Sequence, residues 1–133
     1  VLIRTYSGLK IKFIGKKELF NPITSFFFTF LGGIPVDRGK NTNIVDEVVS
    51  LFDLNEIEIL AIAPEGTRKE VKKWKSGFYY IALNANLPIL MVSFDYMKKE
   101  VVIHNKFLPT GDINKDFIEL EKKVSDVVSR NRL

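Results

Sequence analysis

The sequence contains no cysteine, only one histidine and no long apolar run. Without cysteine the chain has no disulfide, no thiolate ligand for a metal and no cysteine nucleophile. A membrane-spanning helix needs about 18 or more consecutive apolar residues, and no such run occurs. These absences exclude disulfide scaffolds, zinc–thiolate modules and a spanning segment within these residues. They leave an ordinary globular domain as the expected class.

Length and charge predict one domain with a negatively charged partner. With 133 residues, of which 46% are hydrophobic, the chain is long enough for one core, and we predict a single domain over residues 1–133. The net charge is only +4, but five basic residues and one acidic residue lie between Arg68 and Lys75. This local excess favours an anionic partner. Nucleic acid, anionic lipid and phosphorylated small molecules all satisfy it.

The chemistry of the chain is concentrated after a short apolar run. Residues 57–62 are predicted to form a largely buried strand, because they are rich in β-branched residues and soon meet a proline. The residues that follow are Pro64, Glu65, Gly66, Thr67 and Arg68. Ligands of open α/β sheets bind beyond the carboxyl ends of strands, where glycine permits close approach and Thr and Arg donate hydrogen bonds to phosphate. A plain turn is the alternative interpretation.

A strand and a helix are predicted directly before this strand. Residues 34–38 form the predicted strand, and residues 43–54 form an amphipathic helix. A strand–helix–strand crossover places both strand ends on the same edge of a parallel sheet. Arg38 is therefore expected close to residues 65–68.

The first third of the chain predicts one strand and one aromatic helix. Residues 10–14 alternate polar and apolar, which is typical of a half-buried strand. Lys16 and Lys17 follow it, and they either flank a functional site or are solvated lysines at a strand end. The Asn-Pro pair at residues 21–22 predicts a helix start. For the apolar residues 23–31 two interpretations stay open: a helix packed in the core, or a helix lying in a membrane interface.

The second half of the chain predicts two strands between two helices. The helices are expected at residues 78–86 and 114–130, and the strands at residues 88–96 and 100–104. The last helix carries an apolar stripe, and its acidic residues are expected on the outer face. His104 lies on a predicted strand and is expected to have a structural role.

Three blocks of sequence resemble those of a known family. Residues 32–38 read Gly-Gly-Ile-Pro-Val-Asp-Arg, residues 64–68 read Pro-Glu-Gly-Thr-Arg, and residues 87–92 read Leu-Pro-Ile-Leu-Met-Val. In this order they resemble the second, third and fourth conserved blocks of the glycerolipid acyltransferases, the lysophosphatidic acid acyltransferase family. The resemblance runs from Gly15 to Val92. It implies an α/β fold with a mixed, largely parallel sheet flanked by helices, like that of glycerol-3-phosphate acyltransferase.

The resemblance also implies an activity in phospholipid biosynthesis. The family moves a fatty acyl group from acyl-CoA or acyl carrier protein to the free hydroxyl of a lysophospholipid, as from lysophosphatidate to phosphatidate. No metal and no cofactor are implied, and nucleic acid is not an expected partner. A membrane surface is an expected partner, with the protein on its cytoplasmic face. The acceptor and the acyl chain length stay open, because Lys69 stands where the family commonly has a small hydroxyl residue.

The resemblance implies five substrate-binding residues, and three lysines are secondary candidates. The five are Arg38, Glu65, Gly66, Thr67 and Arg68. The secondary candidates are Lys16, Lys17 and Lys75. The arginines would bind the acceptor phosphate, while the glycine and threonine would shape the turn and donate hydrogen bonds. The glutamate would position the acceptor hydroxyl or brace an arginine.

The first conserved block of the family is not found in this sequence. That block, a histidine followed after four residues by an aspartate (His-x4-Asp), supplies the general base. His104, the only histidine, has Pro109 five places later. We expect the catalytic pair upstream of Val1, so that this chain is N-terminally incomplete, carries the acceptor-binding part and is inactive alone. The alternatives are an inactive membrane- or anion-binding pseudoenzyme and, more remotely, a nucleic-acid-binding α/β module.

Overall fold

A computed structural model of the chain describes residues 10–36, 44–65 and 73–130. The chain divides into two compact units, Val1–Ile81 and Ala82–Leu133, and the division falls inside a helix. Each unit has its own sheet. The single domain expected over residues 1–133 stays a prediction.

Three parallel strands form the sheet of the first unit. They are β1 (Ile11–Lys16), β2 (Gly33–Val36) and β3 (Ile59–Ala61). Their order is β2-β1-β3, so that β1 lies in the centre. Ile14 of β1 pairs with Ile34 of β2, and Phe13 pairs with Ala61 of β3. The predicted fold class, α/β with a largely parallel sheet, is confirmed.

One face of this sheet is covered by α2 (Ile44–Asp53), with the start of α3 (Gly77–Asn84) in the same core. The buried residues of this core are Val48, Ile57 and Ile81. Ile14 and Ile34, which pair across the two strands, pack against them. The amphipathic helix predicted between β2 and β3 is confirmed to within one residue at each end.

The opposite face of the sheet is covered by α1 (Ser25–Phe30) and the residues before it. Side chains alternate between the two faces of a strand, so Gly15 and Gly33 lie on the face away from α2. The ring of Phe20 lies directly over both glycines. Phe28 of α1 contacts that ring, with 5.7 Å between ring centroids. Helices therefore flank the sheet on both sides, as predicted.

β3 is less buried than its apolar sequence predicted. Ile59 is 41% exposed and Ala61 is also exposed, whereas Leu60 and Ile62 pack toward the core under α2. Within the described ranges β3 pairs with β1, and its inward side chains alternate with outward ones. The strand is half-buried, and the prediction of a largely buried strand is wrong for this reason.

The helix predicted after Asn21 is shorter than expected. The Asn21 side-chain oxygen accepts hydrogen bonds from the backbone N–H groups of Ile23 and Thr24, both at 3.0 Å, and so holds a turn ahead of α1. Gly32, with φ +91°, lies just beyond the helix, in the conformation that commonly ends helices. α1 contains no buried residue. Phe28 nevertheless packs toward the sheet while Phe26 and Phe30 are exposed, so both interpretations of this helix stay open.

The second unit contains an antiparallel hairpin and a long helix. β4 (Val92–Asp95) pairs with β5 (Glu100–Ile103), and α4 (Ile113–Arg130) packs against β4. The buried apolar residues of α4 are Leu120, Val124 and Val127. The strand expected at residues 88–96 is shorter, because its first half forms only an isolated bridge between Ile89 and Phe107. The predicted last helix is confirmed and begins one residue earlier.

Asp116 is buried in the first turn of α4, although the acidic residues of this helix were expected outside. Its carboxylate accepts the Thr110 backbone N–H at 2.7 Å and the Thr110 hydroxyl at 2.8 Å. A buried carboxylate is tolerated when its oxygens are hydrogen-bonded in this way. The prediction is wrong here because helical periodicity takes no account of the turn that precedes the helix.

The close approach of Phe20 makes Gly33 intolerant of a side chain. A methyl group at residue 33 would lie 2.7 Å from the Phe20 ring and 2.9 Å from the Phe28 carbonyl oxygen. We expect Gly33→Ala to lower the free energy of unfolding by about 1 to 3 kcal/mol, because backbone atoms cannot rotate away. Gly77→Ala is the control, since nothing lies within 4 Å of a methyl group there. Equal urea midpoints for the two variants would contradict this packing.

Asp112 caps the start of α4 through Lys115. Its carboxylate accepts the Lys115 backbone N–H at 3.2 Å and lies 2.9 Å from the Lys115 ammonium. These hydrogen bonds hold the pKa of Asp112 below its ordinary value. A carboxylate whose pKa is lower in the folded chain stabilises the fold above its unfolded pKa, and this contribution is lost as pH falls through the folded pKa.

Asp112→Asn should therefore change the pH dependence of stability. We expect the difference in unfolding free energy between the wild type and Asp112→Asn to be present near neutral pH and to shrink below about pH 4. Urea denaturation over that range measures the difference. A difference that stays constant with pH would show that Asp112 has the same pKa in both states.

Candidate functional site

The carboxyl ends of all three parallel strands meet at one edge of the first unit's sheet. β1 ends at Lys16, which pairs with Val36 at the end of β2, and β3 ends at Ala61. The residues that follow are Lys17 after β1, the Asp-Arg pair at 37–38 after β2, and residues 62–68 after β3. Parallel pairing therefore places the strand ends that precede all three predicted site segments at the same edge.

The strand order creates a switch point at this edge. The chain passes from β1 to β2 on one side and then to β3 on the other side of β1. In open α/β sheets the connections diverge at such a point and leave a crevice beyond the carboxyl ends, where ligands bind. The edge predicted from the β2–α2–β3 crossover is confirmed, but β1 lies between the two strands.

The central strand of the sheet, β1, ends in a lysine and is followed by a second one, Lys16 and Lys17. Neighbouring strands lie about 4.7 to 4.9 Å apart, so β2 and β3, which flank β1, are about 9 to 10 Å apart across the sheet. Lys16 ends the central strand level with Val36 of β2 and three residues beyond the level of Ala61 of β3. Lys17 begins a short 3-10 helix and is exposed. The basic end of β1 therefore belongs to the strand that lies between β2 and β3.

A backbone hydrogen bond closes the loop that follows β3. The Lys75 N–H donates to the Pro64 carbonyl oxygen at 2.9 Å. The loop therefore leaves and returns at the same place, and Glu65 and Lys75, both exposed, lie at its base. Trp74 contacts Phe78 of α3 edge to face, with 6.3 Å between ring centroids. This closure fixes where the loop carrying Gly66, Thr67 and Arg68 begins and ends, which the sequence did not predict.

The structure describes only some of the eight predicted site residues. Lys17, Glu65 and Lys75 are described, and Lys16 is placed through the backbone of β1. Four lie outside the described residues: Arg38, Gly66, Thr67 and Arg68. The described strands that precede them, β2 and β3, end at the same edge of the sheet as β1. The individual role of each residue stays a prediction.

His104 joins the two strands of the second unit. One of its ring nitrogens, Nε2, lies 2.9 Å from the hydroxyl oxygen of Ser93, which is buried on β4. Its backbone N–H donates to the Met91 carbonyl oxygen at 3.0 Å. These contacts agree with the predicted structural role of His104, which stays a prediction.

None of the helices in the described ranges is long and apolar enough to cross a membrane.

Comparison with known proteins identifies the family. A family model described as Acyltransferase matches residues 1–95, which include β1 to β4. The chain belongs to this acyltransferase family, so the family predicted from the three sequence blocks is confirmed. A search of curated proteins found no match.

A solved structure has the same fold. The chain is similar to the 1-acyl-sn-glycerophosphate (LPA) acyltransferase, PlsC, from Thermotoga maritima, with 21% sequence identity and a TM-score of 0.64. The match covers 90% of this chain and 56% of that chain. The chain thus spans little more than half the length of that enzyme, and at this identity the likeness establishes the fold alone.

Two substitutions at residue 75 distinguish the contribution of the backbone hydrogen bond to stability from that of the lysine side chain. Lys75→Pro removes the N–H that donates to Pro64, and we expect a loss of about 0.5 to 1.5 kcal/mol of unfolding free energy. Lys75→Ala keeps that N–H and should leave stability within about 0.5 kcal/mol of the wild type. Urea denaturation compares them. Equal stability of the two variants would show that the hydrogen bond does not hold the loop.

Proposed function

We propose that this chain carries the acceptor-binding part of an enzyme that transfers a fatty acyl group to a lysophospholipid. The proposed conversion is lysophosphatidate to phosphatidate, with acyl-CoA or acyl carrier protein as donor and no further cofactor. Membership of the acyltransferase family supports transfer of an acyl group. The structural neighbour is itself an LPA acyltransferase, which supports this acceptor.

The observation that carries the proposal is the strand order β2-β1-β3. This order places the carboxyl ends of β1, β2 and β3 at one edge of the sheet. In the proposal, Lys16, Lys17, Arg38 and Arg68, which end or follow these strands in the sequence, bind the phosphate there. A phosphomonoester carries up to two negative charges and three acceptor oxygens, and arginine binds such oxygens in a two-pronged geometry. Four cationic residues at or after the ends of three neighbouring strands fit a phosphate of this type better than they fit a neutral acceptor.

The loop after β3 supplies the remaining contacts in this proposal. Gly66 allows the backbone to approach the phosphate, and Thr67 donates a hydroxyl hydrogen bond. Glu65 positions the acceptor hydroxyl or braces an arginine. The Lys75 ammonium, at the closed base of the loop, adds a positive charge beside them.

The proposed reaction converts the thioester of the acyl donor into an oxygen ester of the acceptor. The acceptor hydroxyl oxygen attacks the thioester carbonyl carbon, a carbon–oxygen bond forms, and the carbon–sulfur bond breaks to release a thiol. The hydroxyl proton passes to a general base, for which the family resemblance implies the histidine of His-x4-Asp, and then to the leaving thiolate. Residues of this chain hold the acceptor so that its hydroxyl is aligned, and such alignment lowers the barrier by several kcal/mol.

Arg68 should contribute directly to binding of the phosphate. We expect Arg68→Ala to weaken binding of glycerol 3-phosphate, used as a soluble probe, about 10- to 100-fold, because a charge-assisted hydrogen bond is lost. Arg130→Ala is the matched control, since Arg130 ends α4 in the other unit. Isothermal titration calorimetry measures both affinities, and glycerol, which lacks the phosphate, should not compete.

Two outcomes would contradict this assignment. If Arg68→Ala and Arg130→Ala bind glycerol 3-phosphate equally, Arg68 is not a phosphate ligand. If the chain instead binds an oligonucleotide tightly and this binding weakens steeply with salt, the nucleic-acid alternative is favoured.

A further inference from the structure

The turn that follows β1 brings an aromatic ring back onto the sheet. Lys17–Leu19 form the short 3-10 helix after β1, and the Phe20 N–H donates to the Lys17 carbonyl oxygen at 2.9 Å. The chain therefore reverses within a single turn. The Phe20 ring then lies over Gly15 of β1 and Gly33 of β2.

The two glycines leave room for this ring. A methyl group at residue 15 would lie 2.9 Å from the Phe20 ring, and one at residue 33 would lie 2.7 Å from it. Glycine weakens a strand because it has no side chain to pack, and it often marks a place where another group approaches closely. Neither Gly15 nor Gly33 has a positive φ that would require glycine for another reason. Both glycines are therefore explained by the position of Phe20.

The ring of Phe20 is also held by α1. Phe28 of that helix contacts it with 5.7 Å between ring centroids and 52° between ring planes, a tilted arrangement that aromatic pairs favour. Phe20 is half-buried although it directly follows an exposed turn. Contacts with both the sheet and the helix therefore determine where the ring lies.

The backbone of Lys17 is constrained on both sides. The residue before it, Lys16, pairs with Val36 in the β1–β2 ladder. The carbonyl group of Lys17 itself accepts the Phe20 N–H. A lysine side chain has many rotamers, so a fixed backbone reduces the freedom that is lost when its ammonium group binds an anion.

We propose that Phe20 is a positioning residue for Lys17. Its ring, packed on Gly15 and Gly33, holds the turn so that the Lys17 side chain leaves the backbone at the edge where the parallel strands end. Phe20 touches no substrate in this proposal and acts through Lys17. The role of Lys17 in binding rests on the phosphate site proposed above, whereas the fixing of its backbone does not.

Amide hydrogen exchange tests whether the ring holds the turn. Gly15→Ala is the probe, because the nearest atoms that a methyl group would meet there belong to the side chains of Phe20 and Phe13, so that the Phe20 ring must move. We expect the Phe20 amide to exchange about 10-fold faster in this variant than in the wild type, since its bond to Lys17 opens more often.

Val48→Ala is the matched control for this experiment. Val48 is fully buried under α2, on the other face of the sheet, and its truncation lowers the stability of the same unit. A turn at the surface exchanges by local opening, which global stability does not govern. The Phe20 amide should therefore exchange in Val48→Ala at the rate of the wild type.

Binding of glycerol 3-phosphate tests the consequence for Lys17. Isothermal titration calorimetry compares the wild type, Lys17→Ala, Phe20→Leu and the double variant. We expect each single substitution to weaken binding about 3- to 10-fold, and the double variant to bind no more weakly than Lys17→Ala, because Phe20 acts through Lys17. Val48→Ala should bind as the wild type does. Far-ultraviolet circular dichroism verifies that each variant is folded.

Several results would overturn the proposal. The Phe20 amide could exchange equally in Gly15→Ala and the wild type, or Val48→Ala could accelerate it as much as Gly15→Ala does. Additive losses of affinity in the double variant would show that Phe20 affects binding by another route than Lys17.

The binding data distinguish failure of this proposal from failure of the phosphate site. If Lys17→Ala weakens binding and Phe20→Leu does not, the positioning role is wrong and the phosphate site stands. If Lys17→Ala binds as the wild type does, Lys17 is not a ligand and the positioning role fails with it, while Arg68→Ala still tests the site. If the wild type does not bind glycerol 3-phosphate, the proposed function fails, and hydrogen exchange alone decides whether Phe20 fixes Lys17.

Discussion

The first unit depends on the pairing of β1 with a parallel strand on each side. The ladder places Lys16 beside Val36 and Phe13 beside Ala61, and a shift of register by one residue would turn every side chain to the other face of the sheet. Ile14 would then leave the core under α2, and Gly15 would no longer lie beneath Phe20. The packing on both faces thus fixes the same register that directs the three strand ends to one edge.

The local elements of this fold could be predicted from the sequence, whereas the strand order could not. Apolar spacing predicted α2 to within one residue at each end, and the crossover rule predicted that β2 and β3 share an edge. The insertion of β1 between them is a long-range pairing that leaves no mark in local periodicity. For this reason Lys16 and Lys17 were only secondary candidates, although the strand that carries them to the edge lies between β2 and β3.

Other differences between the predicted and the observed burial arise where residues of the same type have different neighbours. Phe26 and Phe28 are indistinguishable by hydropathy, but Phe28 lies toward Phe20 over the two glycines, while Phe26 faces solvent. Asp116 belongs to the polar residues of its helix by composition, but it is buried because Thr110 in the preceding turn donates to it twice. In both cases a partner elsewhere in the chain decides the burial, and a helical wheel contains no such partner.

The most direct test of the central claim is an amide NMR titration of the chain with glycerol 3-phosphate. If the three strand ends form one anion site, the amide signals of Lys17, Arg38 and residues 66–68 shift together with one dissociation constant. Signals of the β4–β5 hairpin, which carries its own exposed lysines at 98–99, should not shift with that constant. Shifts confined to one strand end, or shared with the hairpin lysines, would contradict a site built by the β2-β1-β3 order.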